Sequence, residues 1–169
     1  MLDLGCGPGI FPAMLSSRGC LAFGIDLDPN AFLPKPLHAN VVIADAVRLP
    51  FPDNSFDLVT ASNLLFLVPD PVQVLRECAR LLLPTGHIAL LNPSENLNRS
   101  SAMALAEARG LDLRSRETLL HWAQLAESHV RWDQPTLEML LNAAGFKLVE
   151  TRLRMGPGLA RFARGNLLP

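Results

Sequence analysis

Short apolar runs separated by polar, glycine-rich and proline-rich stretches recur along this chain, and their spacing predicts buried strands alternating with helices. Leu2–Leu4 opens the chain as a buried strand that stops at Gly5. Ile10 to Arg18 reads as a helix, with Pro12 in its first turn, where a missing N–H costs nothing, and Gly19 as its C-cap. Leu21–Ile25, Val41–Ala44, Phe56–Ala61 and His87–Leu91 read as four further strands. Asp28 through Pro36 holds three prolines and predicts a short or broken helix. Pro50, Pro52, Asp53 and Asn54 mark a loop. Asp70 as N-cap and Pro71 at the first helical position open a helix, whose apolar face is Val74, Leu75, Cys78, Leu81 and Leu82. Pro84-Thr85-Gly86 ends it. The pattern from Pro93 to about Trp132 is helical, with turns near Gly110 and Leu113. Pro135 opens a last helix that stops at Gly145. Phe146–Leu153 and Leu159–Arg164 alternate as a closing pair of strands around Gly156-Pro157-Gly158, the last antiparallel. The alternation predicts an α/β fold: a mostly parallel seven-stranded sheet with an antiparallel last strand and helices on both faces. Residues 1–169 read as one domain, with 93–132 a helical insertion over the sheet edge.

Composition narrows the class. The chain of 169 residues is 49% hydrophobic and 18% charged, ordinary for a globular α/β protein. A net charge of -1, without long basic runs, gives no nucleic-acid footprint. Cys6, Cys20 and Cys78 have no metal-ligand spacing and read as small core residues of a reducing compartment, so no metal is expected. The N-terminal apolar stretch is interrupted too early for a signal peptide, and no apolar run approaches the ~20 residues of a membrane span. Cytoplasm is the expected location. Met1 stands where the first strand is already under way.

Gly5, Gly7 and Gly9 fall at alternate positions directly after the first strand. Without a Cβ they let the backbone turn sharply and let a ligand lie against it, and the helix that follows presents free N–H groups. Strand, glycine turn and helix N-terminus together form a cradle for nucleotide-like cofactors. The dinucleotide fingerprint needs Gly or Ala where this chain has Ile10, which argues against a nicotinamide-dependent dehydrogenase.

Polar residues stand at the carboxyl ends of the predicted strands, where open α/β sheets bind ligands. Asp3 precedes the glycine turn, Asp26 ends strand two, Asp45 ends strand three, and Ser62-Asn63 follow strand four. A carboxylate at Asp26 suits the two hydroxyls of a ribose; the alternative is an N-cap for Pro29 onward, which Asp28 fills equally well. Asp45 suits an adenine amino group, with the Ala46 N–H on a ring nitrogen; read alone, Asp45 is a turn residue.

The ordered series Leu-Asp-Leu-Gly-Cys-Gly-Pro-Gly (2–9), Gly24-Ile25-Asp26, Asp45-Ala46 with Leu49 to Val59, Leu75-Arg76-Glu77 and Leu83-Pro84-Thr85-Gly86 resembles the class I S-adenosylmethionine-dependent methyltransferases, in particular the methyltransferase domain 11 subgroup. The resemblance covers 1–93 well and 135–165 loosely. It implies a Rossmann-like fold, S-adenosylmethionine as cofactor and S-adenosylhomocysteine as product. It also implies cofactor contacts at Asp3, Gly5, Cys6, Gly7, Gly9, Asp26, Leu27, Asp45, Ala46, Ser62 and Asn63. The glycines would lie against the methionine part, Asp3 would support the turn and the amino group, and Leu27 would cover the adenine face. Ser62 and Asn63 would approach the transferred methyl. Relatives often carry Leu-His-His-Val after strand four, where this chain has Leu65-Phe66-Leu67-Val68, and helices ahead of the first strand.

The implied activity is methyl transfer to a small-molecule acceptor. No catalytic base is assigned. His121, Trp122, His129, Arg131, Trp132 and Glu95 are candidates for an acceptor pocket; His121 and His129 are two turns apart and can share a helix face. His38 and His87 read as structural. A non-catalytic cofactor- or partner-binding domain is the competing class. A nucleic-acid methyltransferase is disfavoured by the near-neutral charge and by Ser62-Asn63-Leu64-Leu65 in place of an Asn/Asp-Pro-Pro-Tyr/Phe motif.

Overall fold

The computed structural model describes residues 1–32 and 40–169. In chain order the elements are β1 (Leu2–Leu4), α1 (Ile10–Ser16), β2 (Phe23–Asp26), a 3-10 turn (Pro29–Ala31), β3 (Asn40–Ile43), β4 (Phe56–Ser62) and α2 (Pro71–Leu81), followed by β5 (Leu82–Pro93), α3 (Arg99–Ala108), α4 (Leu113–Glu127), α5 (Gln134–Ala143), β6 (Phe146–Arg154) and β7 (Ala160–Leu167). The strands form one sheet in the order β3-β2-β1-β4-β5-β7-β6. β7 runs antiparallel to both of its neighbours, and the remaining pairs are parallel. This is the seven-stranded α/β sheet, with an antiparallel last strand, that the pattern predicts.

Strand alternation divides the sheet into two faces. Leu2 and Leu4 of β1 are in register with Val59 and Ala61 of β4, and those with Ile88 and Leu90 of β5. All six are buried in the main core, together with Val74, Leu75, Cys78 and Leu81 of α2 and Leu137 and Leu141 of α5. On the opposite face Asp3, Gly24 and Thr60 are in register. There α1 comes so close that a Cβ on Gly24 would meet Cys6 Sγ at 2.7 Å and Pro12 Cγ at 3.0 Å. Gly24 is therefore the residue that lets the glycine turn and α1 sit down on β2.

Caps form where the side chains predict them. Asp70 Oδ1 accepts the Gln73 N–H at 3.0 Å, with Pro71 in the first turn. Gly19 takes φ +85° as α1 ends, two residues earlier than expected, at Ser16. The stretch after Asp28 begins as a 3-10 turn, and its remainder, with Pro34 and Pro36, lies outside the described residues. Pro84-Thr85-Gly86 does not separate α2 from β5. α2 passes directly into β5 at Leu82, and the ladder with β4 jumps from Phe56–Leu82 to Leu58–His87, so the turn is a looped-out piece of the strand. α3 and α4 pack over a second core of Leu97, Ala102, Leu105, Ala106, Leu119, Ala123, Ala126 and Leu159. Among the described residues no helix is long and apolar enough to cross a membrane.

Candidate functional site

The glycine turn is built by positive backbone angles. Gly5, Gly7 and Gly9 take φ of +64°, +52° and +75°. The turn is tied to β2 twice: the Cys6 N–H donates to the Ile25 carbonyl at 2.9 Å, and the Gly7 N–H donates to Asp26 Oδ2 at 2.9 Å. Asp26 Oδ1 also accepts the Asp28 N–H at 3.0 Å. The N-cap of the 3-10 turn is Asp28, which accepts from Asn30, so Asp26 is left facing the turn. A carboxylate has about four acceptor positions, and these bonds use one on each oxygen.

Beside the turn lies a cavity of about 290 Å³. Its walls include Gly5 after β1, Asp26 and Leu27 at the end of β2, Asp45 and Ala46 after β3, and Asn63 and Leu64 after β4. Six of the predicted cofactor residues, drawn from four separate strand ends, therefore share one cleft. Asp45 Oδ1 accepts the Val47 N–H at 3.1 Å, which shapes the loop and leaves its other oxygen free among the described residues. Leu27 is exposed at the rim, and Leu67 and Val68 line the cleft. Glu77 and Arg80 of α2 hold the segment beyond Asp45. Glu77 Oε1 accepts the Leu49 N–H at 2.8 Å, and Arg80 donates to the Leu49 and Phe51 carbonyls at 3.2 and 2.9 Å. The Arg80 guanidinium holds the Glu77 carboxyl below its usual range.

Five predicted residues do not line this cleft. Gly7 and Gly9 form the turn itself. Cys6 packs against Gly24; burial, then the charges of Asp3 and Asp26, push its thiol up to about 12, so it stays protonated. Asp3 lies two residues deeper in the strand than Gly5 and is buried beneath the turn, accepting the Thr60 hydroxyl at 2.7 Å. Burial raises its carboxyl to about 6 against the pull of that hydrogen bond. Ser62 shares the Thr60 side of β4, and with Asp3, Thr60 and Phe11 it lines a separate hollow of about 400 Å³.

A chamber of about 570 Å³ opens beneath α3 and α4. Asn63 belongs to its wall as well as to the cleft's, and takes φ +57° where β4 ends. Of the expected acceptor-pocket residues, Trp122 lines the chamber and donates its indole N–H to Asn63 Oδ1 at 3.1 Å. The others go elsewhere. Trp132 is buried in the main core, because its backbone bridges to Ser94 at the end of β5. Arg131 donates to the Leu97 carbonyl. Glu95 pairs with the buried Arg161 at 2.5 Å. His121 and His129 are exposed and line neither cavity; the His129 ring stands in a T-shaped contact with Phe66, at 5.9 Å between ring centroids. His87 bonds to Asn166 at 2.8 Å, as a structural residue would, and His38 lies outside the described residues. Sequence reasoning missed Arg109 and Arg114, the charged residues of the chamber wall. Their place on either side of the Gly110 turn was the available signal.

The family model described as "Methyltransferase domain" matches residues 2–90. A demethylmenaquinone methyltransferase of Corynebacterium kroppenstedtii is 32% identical over 160 residues, covering 90% of this chain and 69% of the relative. A ubiquinone biosynthesis O-methyltransferase of Ralstonia nicotianae is 36% identical over 97 residues, covering 52% of this chain. The match takes in 40% of that relative, so the chain spans less than half of its length. Among solved structures, a SAM-dependent methyltransferase of Methanosarcina mazei has the same fold, with a TM-score of 0.69 and 22% identity over 99% of this chain and 92% of that one.

Proposed function

The chain belongs to the methyltransferase domain family, and from that premise we propose that it transfers a methyl group from S-adenosylmethionine to a small-molecule acceptor. The observation that carries this reading is the convergence of Gly5, Asp26, Leu27, Asp45 and Ala46 on one cleft. The fit is chemical. Asp26 keeps an acceptor position on each oxygen for vicinal ribose hydroxyls, Asp45 and the Ala46 N–H offer the acceptor–donor pair an adenine edge needs, and Leu27 offers an apolar cover for a flat base. The bare backbone of the glycine turn and the buried Asp3 carboxyl beneath it suit the cationic methionine end. Asp3, Cys6, Gly7 and Gly9 act here as the floor and turn of the site, and Ser62 stands outside it, on the neighbouring hollow.

When bound, S-adenosylmethionine would supply a sulfonium methyl, whose carbon–sulfur bond would break, with its electron pair left on sulfur in S-adenosylhomocysteine, as an acceptor's lone pair bonded the carbon. The protein's part is alignment and exclusion of water. Asn63, shared by cleft and chamber, stands where donor and acceptor would meet. Among the described residues the chamber wall holds no carboxylate or imidazole, which suits an acceptor whose reacting atom ionises readily. The relatives' names point to phenolic rings as the first class to try.

Incubation with methyl-labelled S-adenosylmethionine and a panel of catechols, quinols, phenolic acids and amines tests the reading. Label is expected on phenolic oxygens. Binding of the cofactor with no label transferred to any acceptor would make the chain a binding domain instead.

A further inference from the structure

The chamber beneath α3 and α4 has a polarity that the methyl-transfer reading alone does not require. Its walls are largely apolar, from Leu91, Leu105, Leu111, Leu119 and Met155. Arg114, Thr118 and Trp122 also line it, and they fall at successive turns along one face of α4. Eight residues of helix separate Arg114 from Trp122, a rise of about 12 Å. Trp122 is bonded to Asn63 at the cleft, so Arg114 stands at the far end. Arg109, the C-cap that follows α3, lines the chamber with it. Among the described residues, neither guanidinium has a carboxylate within 4.0 Å. The nearby Asp112 spends one oxygen on the Ser115 N–H as the cap of α4. The Leu105 wall is fixed from outside by the β6–β7 turn, because Gly156, at φ +53°, leaves no room for a Cβ against that leucine.

We infer that the chamber binds an elongated, apolar acceptor that carries a carboxylate at the end remote from its methylated atom, with Arg109 and Arg114 receiving the carboxylate. The inference rests on the methyltransferase reading for which end of the acceptor reacts. The arginines are the anchor, and Asn63 and Trp122 mark the reacting end. Two guanidiniums at the mouth of an apolar slot give an anion charge-assisted hydrogen bonds that a neutral analogue of the same shape cannot make.

The test uses 4′-hydroxybiphenyl-4-carboxylate, a rigid rod with a phenol at one end and a carboxylate at the other, and its uncharged methyl ester. Each is titrated calorimetrically into the protein with and without S-adenosylhomocysteine. The acid is expected to bind at least tenfold more tightly than the ester. The R109Q/R114Q double variant is expected to lose that preference while keeping its affinity for the ester and for S-adenosylhomocysteine. R109K/R114K is expected to recover part of it. Equal binding of acid and ester, binding of neither, or a preference that survives in the double variant would overturn the inference. A preserved preference for the acid in a protein that fails to bind S-adenosylhomocysteine would instead overturn the cofactor reading and leave the anion anchor standing.

Discussion

The indole N–H of Trp122 donates to Asn63 Oδ1 at 3.1 Å and so joins α4 to the carboxyl end of β4. Asn63 is held from behind by its own N–H on the Leu91 carbonyl at 2.7 Å, and its φ of +57° is one that asparagine tolerates better than most residues. Trp122→Phe should cost about 1 kcal/mol of stability, the net value of one hydrogen bond. Asn63→Gly removes the same bond and keeps the backbone relaxed, whereas Asn63→Ala adds strain of about 1 kcal/mol. Urea unfolding should therefore rank Asn63→Ala below Asn63→Gly. The reverse order would mean that the left-handed turn is not what asparagine serves here.

Gly24 predicts a second stability effect. A methyl group there collides with Cys6 Sγ and Cβ at 2.7 and 2.9 Å and with Pro12 Cγ at 3.0 Å. Gly24→Ala should destabilise by about 1–3 kcal/mol, as overpacking does. Because the collision pushes the glycine turn away from Asp26, S-adenosylhomocysteine affinity should fall in the same variant. A stable variant with unchanged affinity would show that the turn has slack.

Asp3 gives the pH dependence a definite sign. Its carboxyl is raised by burial from 3.8 to about 6, so the folded state holds a proton that the unfolded chain releases. The stabilisation is complete below about pH 4 and is lost as pH rises through about 6, an effect on the order of 3 kcal/mol. Asp3→Asn keeps an oxygen for the Thr60 hydroxyl and abolishes the loss. The variant's advantage over the native chain in urea should therefore grow between pH 4 and pH 7, and parallel curves would contradict it. Binding a cationic ligand above Asp3 should also release a proton near pH 6, read as a dependence of calorimetric heat on the buffer's ionisation enthalpy.

Glu77 acts in the opposite sense. Arg80 lowers its carboxyl, so its contribution is present above the unfolded value of 4.5 and is lost as pH falls. Glu77→Ala removes the acceptor of the Leu49 N–H and the partner of Arg80 at 2.6 Å, at a cost of about 2 kcal/mol. Affinity for S-adenosylhomocysteine should drop several-fold as the Asp45 segment loosens. Loss of stability alone would leave the clamp structural.

Local signals carried most of the fold and half of the site. The glycine turn, the aspartates at strand ends and the Asp70-Pro71 helix start are each written in a few neighbouring residues, and Gly5, Asp26 and Asp45 meet as expected. What failed depended on distant contacts. Trp132 and Trp122 look equivalent on a helical pattern, yet the bridge from Trp132 to Ser94 draws one into the core while the other reaches Asn63. Asp3 and Asp26 look equally placed at strand ends, but a two-residue difference in depth puts Asp3 under the turn. Arg109 and Arg114 become neighbours of one chamber only after α3 and α4 pack.

Calorimetric titration of S-adenosylhomocysteine into the native chain and the Asp26→Ala and Gly7→Val variants tests the central claim most directly. Gly7 has open space around it but φ of +52°, so a β-branched residue strains the turn without meeting a neighbour. Both variants, checked for folding by urea, should bind at least tenfold more weakly, about 1.4 kcal/mol. Binding of equal strength in all three proteins, or no binding by the native chain, would contradict the assignment of this cleft to the methyl donor.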